Sequence, residues 1–238
     1  QLLIGDYRNG WKNYDWRWQV TGDQFVRRDY TAPVWDGGPL AGKTILVYPE
    51  QGLGDAIQFA RFLPALAGQG GRVLFETPAP LTRLFRQSDL PATWLAPGET
   101  PPPFDCHASI MDLPRRLDTT LETVPADVPY LRADPDLVGV WKDRLDGMDG
   151  GKAFRVGMVY AGNADQGDDR NRSTSGDGFA ALADLPGIAL YSLQVGRQDK
   201  APQSPALLQN RTDLAPHFGD FADTAAAASC LDLMITVD

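Results

Sequence analysis

Two turns in this sequence carry the side chains best suited to chemistry. The first, Pro49-Glu50-Gln51-Gly52-Leu53-Gly54-Asp55, follows the strand-like run Thr44–Tyr48 and enters a helical stretch over 55–67. Gly52 and Gly54 permit a tight turn and the close approach of a ligand. Asp55 falls at the helix N-terminus, where a carboxylate caps free N–H groups and the dipole favours its charge. A cap accounts for Asp55 on its own, and a general base would use the same position; the residues leave both open. Two glycines without a third at the dinucleotide spacing are weak grounds for a nicotinamide cofactor. The second turn follows a strand ending near Tyr160 and runs from Ala161-Gly162-Asn163 to Asp169-Arg170-Asn171-Arg172-Ser173. Arg170 and Arg172 suit bidentate contact with phosphate, and Ser173 adds a hydroxyl donor. A solvated loop with Asp168 and Asp169 paired to the arginines explains the same residues. Gln194 stands at another strand exit, where it can face a base, a sugar or only solvent.

Other motifs carry less. Gly37-Gly38-Pro39-Leu40-Ala41-Gly42-Lys43-Thr44 matches the phosphate-loop pattern, and the apolar run 231–237 ends in Asp238 as a Walker B strand would. That chemistry needs a strand before the loop and a helix after it. Here Thr-Ile-Leu-Val-Tyr follows Lys43, so the segment reads as a turn feeding the first strand. His107 and His217 fit no metal spacing, and no metal site is expected. No serine sits in a nucleophile elbow. Cys106 and His107 are neighbours on a strand, which point to opposite faces and form no dyad.

These turns need a scaffold, and the length and pattern describe one. With 238 residues the chain suits one large domain or two small ones. Its 43% hydrophobic content marks a globular protein, and Gly 24 with Pro 19 favours alternating strands and helices over a bundle. A formal charge of −9 argues against nucleic acid as a partner. Two cysteines are too few for a disulfide framework. No apolar run reaches the roughly 18 residues of a membrane span, and no signal pattern opens the chain. A cytoplasmic protein is expected.

Leu3, Tyr7, Trp11, Tyr14 and Trp18 share one face of a helix over 1–18, followed by a linker over 19–43. Strand and helix then alternate through Thr44–Tyr48, 55–67, Arg72–Glu76 and 81–87. A proline-rich loop over 96–103 and a helix over 136–145 complete a first domain, 44–145. The glycine-acid segment within 146–153 reads as the linker. A second domain, 154–238, repeats the cycle with strands over 155–160, 188–193 and 231–237 and helices near Phe179 and Phe221. The last strand lacks a covering helix, so a fragment of a longer chain is expected. The fold class is α/β, with two Rossmann-like domains, the second incomplete.

Several stretches together resemble a known family. Gly5-Asp6-Tyr7, Gly10-Trp11, Tyr14 and Trp16-Arg17-Trp18 resemble the last helix of a tetratricopeptide array entering a bacterial glycosyltransferase. Trp35-Asp36-Gly37 and the Glu50 to Asp55 turn with Gln58-Phe59 and Arg61 continue the match. So do Thr119-Thr120-Leu121-Glu122-Thr123-Val124-Pro125 and Val128-Pro129-Tyr130-Leu131. Ala161-Gly162-Asn163, Asp169-Arg170-Asn171-Arg172-Ser173, Ser192-Leu193-Gln194, Asp220-Phe221-Ala222-Asp223-Thr224-Ala225 and Thr236-Val237-Asp238 complete it. The chain is similar to tetratricopeptide-linked glycosyltransferases whose catalytic part is heptosyltransferase-like, of GT-B fold; Val195-Gly196-Arg197 matches only loosely.

The resemblance implies two facing Rossmann-like domains, the first holding the acceptor and the second the nucleotide-sugar. Asp55 would be the general base on an acceptor hydroxyl, with Gln51, Gly52 and Gly54 forming the acceptor-side loop. Gly162, Asn163, Arg170, Arg172, Ser173, Gln194 and Asp238 would hold the donor and its phosphates. Transfer to a protein or glycan would be inverting and metal-independent, with no cofactor beyond the nucleotide-sugar substrate and with tetratricopeptide repeats upstream in the same chain. The isolated 238 residues are expected to be inactive. The rival readings are a non-catalytic scaffold or binding domain derived from such a transferase, and a P-loop phosphotransferase.

Overall fold

Runs rich in apolar, β-branched and aromatic residues form the inner strands of two separate parallel sheets. The computed structural model describes residues 1–20, 27–151 and 153–237. Contacts divide the chain into two units, Gln1–Arg132 and Ala133–Asp238. The first contains α1 (Tyr7–Tyr14), β1 (Thr44–Tyr48), α2 (Leu53–Phe59), α3 (Leu63–Gly68), β2 (Arg72–Glu76), α4 (Thr82–Arg86), β3 (Thr93–Leu95), β4 (Cys106–Ser109) and α5 (Leu113–Arg116). The second contains α6 (Pro135–Asp149), β5 (Phe154–Val159), α7 (Asp169–Arg172), β6 (Ile188–Ser192), α8 (Pro205–Asn210), β7 (Arg211–Asp213), α9 (Phe221–Ala228) and β8 (Leu233–Thr236).

Among the described residues the strand orders are β3-β2-β1-β4 and β7-β6-β5-β8. Every pairing is parallel, with Ile45 opposite Val73 and Cys106, and Val156 opposite Leu190 and Leu233. In each sheet three strands step outward before the fourth returns to the other side of the first. The order therefore reverses at β1/β4 and at β5/β8, and ligands of open α/β sheets bind beyond the strand C-termini at such a reversal. The turns after β1 and β5 are the two singled out above.

Burial on both sheet faces makes these strands continuous apolar runs. In the second unit Val156, Met158, Tyr160 and Leu190 pack with Phe179 and Leu207 on one face. Tyr191 and Leu193 pack with Trp141, Leu145, Leu214 and Ala226 on the other. In the first, Leu46, Leu74 and Leu95 form one layer, with Tyr30 and Phe104 against it.

Several features depart from expectation. The helix over 1–18 is interrupted: a 3-10 turn at Leu2–Ile4 ends at Gly5 with φ 81°, and α1 begins anew after Asp6. A second 3-10 turn covers Asp15–Gln19. Leu3 therefore leaves the stripe, 99% exposed, whereas Trp11 packs edge-on against Phe59 at 5.9 Å. This segment is part of the first unit.

The glycine-acid segment is no linker. α6 extends to Asp149 and ends on Gly150 at φ 74°. Arg155 on β5 forks Asp149 at 2.7 and 2.9 Å, and the Tyr191 hydroxyl donates to the same carboxylate at 2.9 Å. With Trp141 and Leu145 in the second core, α6 belongs to the second unit, and the division falls at Arg132/Ala133.

The short elements β3, α5, α7, β7 and α8 were not foreseen, because three to six residues carry too little periodicity, whereas the strand through Cys106 and His107 is present as β4. The helix near Phe179 is a 3-10 segment, Gly176–Leu182, and the last strand is shorter than 231–237. Lys43 precedes β1, so the phosphate-loop match lacks the helix its chemistry requires.

Candidate functional site

In the first unit the helix after β1 begins two residues earlier than expected. Gly52 is the N-cap and Asp55 occupies the third helical position, its Oδ2 accepting from the Gly52 amide at 2.9 Å. One carboxylate oxygen thus closes the turn at a half-buried position on its rim. Gln51 adopts φ 64°, the left-handed region that disfavours side-chain-bearing residues. Its amide donates to the Tyr14 hydroxyl at 2.6 Å, tying the turn to α1. Burial raises the Tyr14 pKa, the Gln51 bond opposes this, and the nearby Glu50 and Asp55 charges reinforce it.

Beneath the turn lies a buried ionic cluster that motif reading missed. Arg17 donates to both Glu50 oxygens, at 2.7 and 2.9 Å, and to Asp112 at 2.6 Å. Ser109, ending β4, donates to Glu50 as well. The guanidinium also lies over the rings of Tyr14 and Trp18, at 4.6 and 4.3 Å. Burial alone would lower the Arg17 pKa, but the bonds to Glu50 and Asp112 outweigh it and the pKa is raised. The cluster joins the ends of β1 and β4 at the reversal of strand order. Its only sequence signal was the polar type of Glu50 and Asp112 beside apolar strands.

The family-like stretches around Arg61 and Tyr130 also meet. Arg61 stacks on the Tyr130 ring at 4.9 Å and donates to the Pro125 carbonyl at 3.4 Å. The Tyr130 hydroxyl donates to the Ile57 carbonyl of α2 at 3.1 Å. The helix carrying Asp55 is thus pinned along its length.

In the second unit the expected loop contains the single turn α7, which brings its polar groups back to the β5 exit. Ser173 Oγ accepts from the Gly162 amide at 2.9 Å and donates to Asp169 at 2.5 Å. Arg172 lies across Gly162 so closely that an added Cβ would sit 2.6 Å from its Cζ. Arg197, not picked out from sequence, donates to the Gly162 carbonyl at 2.6 Å and pairs with Asp169 at 3.0 Å. The Arg197 bond, followed by that of Ser173, lowers the Asp169 pKa. Gly162, Arg172 and Ser173 therefore converge. Arg170 and Asn163 are exposed, Asn163 accepting from the Asp165 amide at 3.1 Å.

Gln194 is brought to this place in a different role. Its Oε1 accepts from the amides of Tyr160 and Ala161 at 3.1 and 2.9 Å, and its Nε2 donates to the Ala161 and Val195 carbonyls. A buried amide used this fully splices the β5 and β6 exits together. Asp238 lies outside the described residues. Among those described, no group of three His, Cys, Asp or Glu side chains is arranged to hold a metal ion, and no helix is long and apolar enough to cross a membrane.

Two parallel four-stranded sheets, each with a polar turn at its strand-order reversal, define an α/β protein of two Rossmann-like units. The crystal structure of the glycosyl transferase family 9 from Veillonella parvula DSM 2008 shares this fold. The two align with a TM-score of 0.57 at 14% identity, over 85% of this chain and 77% of that one. Protein FlbA of Caulobacter vibrioides (strain ATCC 19089 / CIP 103742 / CB 15) is similar in sequence, 26% identical over 220 residues. The match covers 82% of this chain but 35% of FlbA, so the chain spans about a third of that relative. No protein-family model matches the chain.

Proposed function

We propose that this chain is the transferase portion of a glycosyltransferase, moving a sugar from a nucleotide-sugar to an acceptor hydroxyl on a protein or glycan. The observation that carries this reading is the content of the two turns at matching reversals of strand order. One presents a carboxylate, Asp55, on a glycine turn. The other gathers two arginines, a hydroxyl and a backbone amide around Gly162. The shared fold with a glycosyl transferase family 9 structure supports the same class.

In this reading Asp55 takes the proton of the acceptor hydroxyl as its oxygen attacks the anomeric carbon. The bond from that carbon to the phosphate oxygen breaks, its electron pair leaves with the nucleotide, and the new glycosidic bond has inverted configuration. Arg172 and the exposed Arg170 meet the charge developing on the departing phosphate, with Ser173 holding the loop through Gly162 and Asp169, so neutralisation needs no metal ion. Tetratricopeptide-like repeats ahead of α1 would select the acceptor.

The scaffold reading draws on the capping bond of Asp55, which needs no catalysis. Thermal shift of the full-length protein that carries this chain with UDP-, GDP-, ADP- and CMP-sugars, followed by nucleotide release with the sugar that binds, separates the two. Binding lost in Arg172→Ala and turnover lost in Asp55→Asn are expected. Binding without turnover favours a scaffold, and absence of binding to any donor sinks the proposal.

A further inference from the structure

Arg197 stands in the left-handed region at φ 60°, directly after Gly196 at φ 67°. An L side chain holds that conformation against a steric cost, and such residues persist where their surroundings fix them. The surroundings here are specific. Arg197 Nε and Nη2 donate to the two oxygens of Asp199 at 3.0 and 3.1 Å. Nη1 is left to donate to the Gly162 carbonyl at 2.6 Å and to face Asp169 at 3.0 Å. The Arg197 side chain is only 10% exposed, against 28% for Arg172.

Every nitrogen of this guanidinium is thus engaged by the protein, on three segments: the β5 exit, α7 and its own loop. Gly162 is gripped on both sides, its carbonyl by Arg197 and its amide by Ser173. Asp169 links the same Arg197 to Ser173 and lies 3.9 Å from Arg172 Nε. We infer that Arg197 is a positioning residue for the anion-binding loop. It orders Gly162 directly, Ser173 both directly at 3.5 Å and through Asp169, and Arg172 through Asp169, without touching the ligand itself. This inference rests on the reading of that loop as the seat of the donor phosphates.

The test is calorimetric titration of the chain with UDP, GDP, ADP and CDP, repeated for Arg197→Ala, Arg172→Ala, the double variant and Asp199→Asn, with melting temperatures beside them. Arg197→Ala should weaken the tightest nucleotide roughly 10–100-fold, the size of a lost charged hydrogen bond. Because Arg197 acts through the same loop, the double variant should bind far more tightly than the product of the two losses implies. A purely structural role would lower the melting temperature without producing that coupling. Asp199→Asn, at a carboxylate 61% exposed, loosens the fork without emptying the cluster. It should weaken binding in the same direction and replaces Arg197→Ala if that variant fails to fold. Losses that multiply, or wild-type affinity in Arg197→Ala or in a folded Asp199→Asn, would overturn the inference while leaving the donor site intact. Wild-type chain that binds none of the four nucleotides removes the donor site and this inference with it.

Discussion

At the scale of single residues, Asp55 combines a structural and a proposed chemical task on different oxygens. Its Oδ2 holds the Gly52 amide, and Asn keeps an acceptor for that bond. Asp55→Asn should therefore change folding stability by less than about 1 kcal/mol. Loss of a general base should slow turnover by about 10²–10⁴. Turnover within a few-fold of wild type, in a variant of unchanged melting temperature, would make Asp55 a cap alone. Gly162 makes a complementary prediction. Its Cα side is occupied by the Arg172 guanidinium, so Gly162→Ala must push a flexible, partly exposed side chain aside. Stability should barely move, whereas nucleoside diphosphate affinity should fall about tenfold, or 1.4 kcal/mol. Equal affinities by calorimetry would show that Arg172 need not lie there.

At the scale of elements, two buried clusters fasten helices to strand ends. In the first cluster Arg17 is, among the described residues, the cation bonded to both Glu50 and Asp112. Replacing it with Met leaves both carboxylates buried without it, which typically costs about 3–5 kcal/mol. Urea unfolding of Arg17→Met should show a loss of that order, and a loss below about 1 kcal/mol would mean that water already screens the cluster. The clamp of α6 onto β5 is pH-dependent with a definite sign. The bond from Arg155, then those from the Gly151 amide and Tyr191, hold the Asp149 pKa far below the usual carboxylate range against the opposing effect of burial. A folded pKa below the unfolded value of about 3.9 adds stability above that pH and loses it as pH falls toward the folded value. Asp149→Asn should therefore be less stable than wild type at neutral pH, and the gap should shrink below about pH 4. A gap constant from pH 7 to 2 would sink this account.

At the scale of the whole molecule, a formal charge of −9 sets what the surface attracts. The arginines with clearest structure are largely spent internally: Arg17 on Glu50 and Asp112, Arg155 on Asp149, Arg197 on Asp199 and Asp169. Phosphate affinity should thus be confined to small ligands fitting one loop and absent toward a polyanion surface. Fluorescence anisotropy with a labelled duplex DNA should show no binding at physiological salt. Salt-dependent binding there would reveal a basic face that the charge balance hides.

Local pattern along the chain is enough to place the two sheets' central strands and the turns that leave them. β1 and β5 are buried on both faces, so their apolar runs are continuous, and glycines mark the turns whatever the rest of the chain does. Asp55, Gly162, Arg172 and Ser173 were legible because each lies within one such turn or beside it. Which residues meet across long separations follows from the folded strand order. Arg17 reaches Glu50 and Asp112 over 33 and 95 positions, and Arg197 reaches Gly162 over 35. The fold also turned Gln194 from a candidate ligand contact into a splice between strand exits, and moved α6 into the second unit. Periodicity and turn chemistry are local and can be read along the chain. The partner of a buried charge is set by the strand order that brings distant exits side by side, and no local pattern records it.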